Sequence, residues 1–537
     1  MVHIHCRLLI LLELILVFNS NKLKKMKNSK SIFKLVAPML IVAIAFALGG
    51  CKKMLDQKPL GRLSQEDLSG GFEGQVFGLY ASLRNQFSDD ANAWAFVLIN
   101  DTRSEDMSAG SNNGDNAGAA PMYDNFQYAK DNWLMSNQWT KHYQMIGLAN
   151  NIITAIDSAK LTDQASLEQR AEAKFFRAWS YFALVKEFGL VPKIDFRVFN
   201  DADANIAKVG DVGQIYTLID ADLADAAANL PVSWDATHIG RLTKGAAQAL
   251  QARTFLFRSD FGNALNASTQ VINSGQYGLF PDFFGQFEKA NENNVESIFE
   301  MQAVYTQQSD ADNGYNSGFA EVQGARGQGD WDLGWGENVP TPTLAAAFEN
   351  GDPRRDASLV YLDSANAPYG EIIPRSSMVG DLSPTVFYFT KKGVYTDPAD
   401  RAATGNKHGL WMNVRLIRYG EVLLTAAESA NELGGADNDS LAVNLIEMLR
   451  ARARNGDDAI LPKINYVSQA QMRTAIRQER RIELATEHER FWDLVRWGTA
   501  TTVLGPLGYA DKNKYLPIPQ GEIDKSNGTL IQNPDYP

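Results

Sequence analysis

Only two cysteines occur in the 537 residues, Cys6 and Cys51, so nothing beyond residue 51 can be stapled by a disulfide. The long remainder must hold itself together by burying apolar surface, and a chain of that length has enough for one large domain or two smaller ones. Redox chemistry at cysteine is excluded from the folded part for the same reason.

Cys51 has a particular setting. Lys27, Lys30 and Lys34 lead into an apolar run from Leu35 to Leu48, which closes as Leu48-Gly49-Gly50-Cys51. The run falls short of the about 20 residues a bilayer span needs, and small residues directly before a cysteine suit cleavage once the thiol is acylated. Residues 1–50 are therefore read as a removed signal segment, Cys51 as the lipidation site, and residues 51–66, polar and containing Pro59, as a tether. A second apolar run, Leu8 to Phe18, precedes a signal already complete from Met26, which is read as the true start. A membrane helix there would carry Glu13 at depth, at a cost of about 2.5–3.5 kcal/mol. The first fifty residues hold seven Lys or Arg and one acidic residue, so their loss moves the formal charge from -12 to -18. An acidic chain without a basic stripe repels phosphates, which argues against nucleic acid as a partner.

Helical periodicity dominates the chain beyond the tether. Over 163–188, Ala171, Phe175, Ala178, Trp179, Phe182 and Phe188 line one face of a predicted helix, stopped by Gly189 with Pro192 just beyond. Thr243 can cap a helix carrying Ala246, Leu250 and Leu256, and a second begins after Asp260 with Phe261, Ala264 and Leu265. Another pair runs through Val422, Leu423, Ala426 and Ala427, breaks at Gly434-Gly435, and resumes with Ala442, Leu445, Ile446 and Leu449. Small residues at the crossings let helices approach, as in tetratricopeptide-like units of about 34 residues. Ser468, with Gln471 three residues on, opens a long predicted helix over 469–497 that is dense in alternating charge. Glu487 with Arg490 and Asp493 with Arg496 fall on neighbouring turns, which predicts a structural ion-pair network. Trp133, Trp139, Trp179 and Trp497 lie in helical patterns and are assigned to the core. From about 281 to 414, and again over 100–128, periodicity fades and Gly, Asn, Asp, Trp and Tyr take over, the composition of binding loops on a scaffold.

Several motifs resemble those of the SusD/RagB family, in its order. They are Arg170-Ala171-Glu172-Ala173-Lys174-Phe175-Phe176-Arg177-Ala178-Trp179, then Gly240-Arg241-Leu242-Thr243-Lys244, then Asp352-Pro353-Arg354, then Arg418-Tyr419-Gly420-Glu421 with Ala427-Glu428. Glu479-Arg480-Arg481-Ile482-Glu483 comes next, leading to Arg490-Phe491-Trp492-Asp493, and Leu516-Pro517-Ile518-Pro519 and Gln532-Asn533-Pro534-Asp535-Tyr536 close the set, with Asp535 where the family usually has Gly. The resemblance implies a mainly α protein: a tetratricopeptide-like helical-pair scaffold, an α-α superhelix over about 67–280 and 415–500, carrying a large irregular loop-rich insertion over about 281–414 within a domain of 67–537. It further implies a lipid-anchored protein of the cell outer membrane, exposed at the surface and without catalysis or cofactor. Such a protein captures oligosaccharides, or alternatively peptides as in the RagB branch, for a SusC-like TonB-dependent transporter barrel.

Sugar binding asks for exposed aromatic faces beside amides, carboxylates and guanidinium groups. Tyr305, Tyr315, Trp331 and Trp335 stand among Gln302, Asn313, Asn316, Arg326, Asp330 and Asp332 in a stretch too polar to be core, and Trp94 lies near Arg84, Asn100, Asp101 and Arg103. Of these, Trp94, Tyr305, Tyr315, Trp331, Trp335, Arg84, Asn100, Asp101 and Asp330 are the expected ligand-binding set. Asp310, Asp312 and Glu321 have the spacing of a calcium loop, but Gly314 stands where an oxygen ligand is needed and Tyr315 where the turn glycine belongs, so no metal is expected. His488-Glu489 lacks the second histidine of a metalloprotease helix. A glycosidase pair, most plausibly among Asp330, Asp332 and Glu337, is the enzymatic alternative, and it ranks below binding.

Overall fold

In the computed structural model, residues 72–88, 90–114, 121–304, 318–363, 371–394 and 412–536 are described. Cys51 with its signal and tether, Tyr305, Tyr315 and the Asp310-Asp312 part of the calcium-like spacing lie outside them.

The first half is a run of helices: α1 Glu73–Ser88, α2 Asp90–Asp101, α3 Trp133–Ala159, α4 Gln164–Phe188, α5 Gly213–Asn229, α6 Lys244–Phe257 and α7 Phe261–Asn273. Strand β1, Met107–Gly110, interrupts them; β2 (Ser297–Met301), the short helix α8 (Gly318–Gln323), β3 (Glu337–Pro340), β4 (Leu359–Leu362), β5 (Ile372–Ile373), β6 (Tyr388–Thr390) and β7 (Val414–Arg418) come after. Helices return as α9 Tyr419–Leu433, α10 Ala436–Arg454, α11 Gln469–Glu483 and α12 Arg490–Arg496.

Local chemistry sets these boundaries. Asp163 caps α4 by accepting from the Ser166 N–H at 3.0 Å, and Gly189 ends it. Thr243 and Asp260 accept from Ala246 and Asn263 to open α6 and α7, and Gly434-Gly435 separates α9 from α10. The helices then stack in order: α3 on α4, α4 on α5, α5 on α6, α6 on α7, α7 on α9, and α9 on α10 and α11. This is the tetratricopeptide-like architecture. Ala264, Ala267, Ser268 and Val271 form the narrow buried stripe of α7, small enough for close crossing, whereas α9 is buried all round from Tyr419 to Asn431 and forms the axis of the second half. The strands make small sheets: β1 with β3 and β2 with β7, both antiparallel, and β5-β4-β6, in which β4 runs parallel to β5 and antiparallel to β6.

The predicted helix over 469–497 is two helices. Lys392 Nζ donates to the carbonyls of Glu483 and Ala485 at 3.1 and 3.0 Å, and Arg418 Nη2 takes the Glu483 carbonyl at 2.7 Å. Cationic side chains have claimed the acceptors a continuing helix would use, and Thr486 and His488 turn the chain at φ +63° and +67°. Glu487 accordingly pairs with Lys392 and Arg418 while Arg490 reaches Glu105, in place of the predicted Glu487-Arg490 contact; Asp493 and Arg496 do pair, at 2.9 Å.

Buried ion pairs tie the helices together. Glu483, fully buried, accepts from Arg418 at 2.8 Å, Arg452 at 2.6 Å and Arg354 at 3.1 Å. Arg354 is also held by Asp352 and Glu479, and Arg418 by Glu296 and Glu487. A Cβ on Gly420 would overlap the Arg418 guanidinium, so glycine there leaves the room in which the cluster assembles. In the first half, Arg177 grips Asp222 through two bonds of 2.7 Å, joining α4 to α5. The three guanidinium groups hold the Glu483 carboxyl far below the usual carboxylate range, against the opposing effect of burial.

A depressed carboxyl gives stability that is complete above its unfolded value near 4.5 and is lost as pH falls from there toward the folded value. Glu483→Gln removes that charge from among three buried guanidinium groups and should cost about 3–5 kcal/mol at pH 7. Urea unfolding at pH 7 and below pH 4.5 should show the gap between wild type and variant shrinking in acid; an equal gap at both would refute the assignment.

Candidate ligand-binding site

The buried stripe of α3 runs through Leu134, Gln138, His142, Met145, Ala149 and Ile153. Trp133 falls outside that phase and projects outward, 38 % exposed, where Asn132 caps the helix by accepting from Leu134 at 2.9 Å. Its ring lies 6.2 Å from that of Trp94 on α2, the planes inclined by 40°. Trp94 is half-buried, and its indole N–H is shielded from solvent with no hydrogen-bond partner. Asp131, close to Trp133 in the chain, is exposed.

Trp331 and Trp335 are set by a loop that doubles back on α8. Trp335 N–H donates to the Glu321 carbonyl at 2.8 Å, its indole N–H to the Glu321 carboxylate at 2.8 Å, and Gly336 N–H to the Gly324 carbonyl at 2.8 Å. The two passes of backbone touch because both contact points are glycine: a Cβ on Gly324 would overlap the Leu333 carbonyl, and one on Gly334 the Glu321 carbonyl. Trp335 is left half-buried, and Trp331, also half-buried, leans on the cluster of Ala325, Leu333, Val339 and Ile373. α8 packs on α2, the helix that carries Trp94. Asp330 is exposed at the tip of the loop, Asp332 is half-buried, and Glu337 is buried in β3.

Other members of the expected set stand elsewhere. Asn100 is buried, donating to the Phe96 carbonyl at 2.7 Å and accepting from the Trp492 indole at 2.8 Å. Asp101 is buried too, accepting from Asn338 at 2.7 Å with His488 Nδ1 at the same distance. Arg103 lies under Phe491, its guanidinium 3.8 Å from the ring centre, and donates to the Asn513 carbonyl at 2.7 Å. These three belong to the scaffold between α2 and α12, so Asn100 and Asp101 are removed from the surface the sequence assigned them to. Arg84 lines a groove of about 640 Å³, open solvent included, with Phe77, Tyr80, Arg241 and Gln302. Glu321, the last position of the calcium-like spacing, spends its carboxylate on Trp335.

Of the four tryptophans read from the sequence as core, three are not fully buried. Trp133 is exposed, a position its phase against Leu134, Gln138 and His142 could have shown. Trp179 stacks on Phe175 and lines a deep cleft between α2, α3, α4 and α6 of about 970 Å³, solvent mouth included. Trp139 is buried, as expected, and Trp497 lies half-buried beneath Arg477 and Arg496.

Residues 295–514 match the model of the SusD family, and residues 83–256 match a model described as starch-binding, associating with outer membrane. SusD-like protein P2 of Formosa agariphila is 28% identical over 518 residues, covering 92% of this chain and 98% of its own. The starch-binding protein SusD of Bacteroides thetaiotaomicron is 26% identical over 436 residues, 70% of this chain and 74% of that one. A solved laminarin-binding SusD-like protein superposes with a TM-score of 0.71 at 26% identity, over 86% of this chain and 98% of that one.

The doubled-back loop makes a specific demand at Gly334. Gly334→Ala must push the Glu321 carbonyl away, at about 1–3 kcal/mol, and loosen the seat of Trp335. Thermal unfolding should report the loss, and tryptophan emission should shift toward the red; a variant matching wild type in both would show that the loop absorbs a Cβ freely.

Proposed function

Because the chain belongs to the SusD/RagB family, we propose that it captures oligosaccharides at the outer-membrane surface, without turnover, and delivers them to a SusC-like TonB-dependent barrel. The observation that carries this reading is the Trp94-Trp133 pair, in which an exposed Trp133 stands beside a half-buried Trp94. Stacking on an exposed aromatic side chain is a contact a pyranose ring uses. Trp331 and Trp335 on the loop, Arg84 in its groove, Asp330 at the loop tip, and Tyr305 and Tyr315 complete the proposed contact set. The relatives named for starch and laminarin support a glycan over a peptide.

Binding without catalysis is favoured by the setting of the carboxylates considered for hydrolysis: Asp330 is exposed and Glu337 buried in a strand, whereas an inverting or retaining pair must flank one bond. Membrane attachment is assigned to a lipid on Cys51. Among the described residues no helix is long and apolar enough to cross a membrane, and the family description places its members at the outer membrane.

Calorimetric titration with laminarin and starch oligosaccharides, and with a peptide panel, tests the ligand class. Trp133→Ala and Trp94→Ala should each weaken the glycan that binds by about five- to tenfold, in keeping with about 1 kcal/mol per aromatic contact. Peptide binding alone, or a glycan indifferent to both changes, would overturn the reading. Cys51→Ser should move the protein out of the outer-membrane fraction of the cell while leaving glycan affinity unchanged, and continued membrane recovery would remove the lipid from the account.

A further inference from the structure

The cleft bordered by Trp179 is a separate place from the Trp94-Trp133 surface, and its lining is left electrically and chemically incomplete. Most charges that face it are matched: Arg253 by Glu421, Lys392 by Glu487, and Arg415 by Glu300 at 3.3 Å. Lys186 is not. Its ammonium stands 4.8 Å from the centre of the Phe182 ring and 4.9 Å from that of Trp492, and no carboxylate among the described residues is within ion-pairing distance. Burial raises the two remaining acids on the lining, Glu187 to about 7 and Glu489, and it lowers Lys186 itself, an effect that the nearby Glu489 and Glu187 partly offset.

Several residues on the lining carry a polar side-chain atom without a hydrogen-bond partner among the described residues. Gln86 Nε2, His142 Nδ1, Glu187 Oε2, Thr486 Oγ1 and His488 Nε2 are all shielded and unbonded, on residues at least nine-tenths buried. Burial pushes His142 down to about 3, so its ring is neutral and one nitrogen is free to accept. Each such atom costs free energy while it lacks a partner. The rings of Phe96, Trp179 and Phe182 supply the apolar part of the wall.

We propose that this cleft binds a monosaccharide-sized hydroxy acid, its carboxylate on Lys186 and its hydroxyls on the unpartnered ring formed by Gln86, His142, Glu187, Thr486 and His488. An anion pairs with Lys186, which has no carboxylate within ion-pairing distance among the described residues, several hydroxyls satisfy mixed donors and acceptors, and a pyranose-sized body fills a space bounded by aromatic faces. The assignment stands independently of the ligand at Trp133.

The test uses glucuronate and galacturonate as probes, with glucose as the neutral control, titrated by calorimetry into the full-length protein in detergent. Either uronate should bind, Lys186→Met should weaken it at least about tenfold, the loss expected for a charge-assisted hydrogen bond, and Lys186→Arg should restore much of it. Trp94→Ala should leave uronate affinity unchanged, which separates this site from the glycan surface. A crystal grown with saturating uronate should show the carboxylate at Lys186 Nζ, and this wild-type measurement holds even if Lys186→Met fails to fold. No uronate binding, unchanged binding in a folded Lys186→Met, glucose binding equal to that of the uronates, or only water in the cleft would each overturn the proposal.

Discussion

Glu483 and the guanidinium groups of Arg354, Arg418 and Arg452 are the constraint on which the second half of the molecule depends. They come from distant parts of the chain: the short helix Arg354–Ser358 before β4, the end of β7, the last turn of α10 and the last turn of α11. Taking so many charges out of water is unfavourable unless each finds its complement, and removing one partner strands the others. The cluster therefore admits one mutual arrangement of these elements, and the helix packing around α9 is a consequence of it. It also ends α11, since Arg418 and Lys392 spend their hydrogen bonds on the carbonyls there. The bend that results places Thr486 and His488 on the wall of the interior cleft.

The motifs that identify the family are largely this cluster and its counterparts. Asp352-Pro353-Arg354 supplies one guanidinium and its near carboxylate, Arg418-Tyr419-Gly420-Glu421 another with the glycine that makes room, and Glu479-Arg480-Arg481-Ile482-Glu483 the acids. In the first half, Arg177 and Glu172 of the first motif meet Asp222 and Arg241. Residues whose task is to hold helices in register specify a scaffold, and a scaffold is compatible with many ligands. Such motifs announce the fold strongly and the ligand weakly.

What can be read from the sequence divides along the same line. Helix ends written in local chemistry are legible: Asp163 and Gly189 around α4, Thr243 before α6, Asp260 before α7, and Gly434-Gly435 after α9. The break after Glu483 is not, because its cause is a lysine about ninety positions away in sequence and an arginine about sixty-five away. Exposure of Trp133 is legible in principle from its phase against the buried stripe of α3, but an aromatic residue in a helical pattern is usually core, and that expectation masks it. Asn100 and Asp101 mislead for the converse reason. Polar residues near a tryptophan resemble a binding rim until Trp492, Asn338 and His488, contributed from far along the chain, are seen to use them.

The loop bearing Trp331 and Trp335 shows how a polar, glycine-rich stretch becomes a fixed surface. Its composition reads as flexible, yet each of Gly324 and Gly334 stands where the other pass of backbone leaves no room for a side chain. Contact at that distance lets the N–H groups of Leu333, Trp335 and Gly336 find carbonyls within the loop and on α8. A loop closed in this way meets its ordering cost during folding, so its surface is fixed before anything meets it. Glu321 fixes the ring from behind by taking its N–H, which leaves the indole to act through its face alone. Trp94 is arranged the opposite way, its indole N–H shielded and without a hydrogen-bond partner among the described residues.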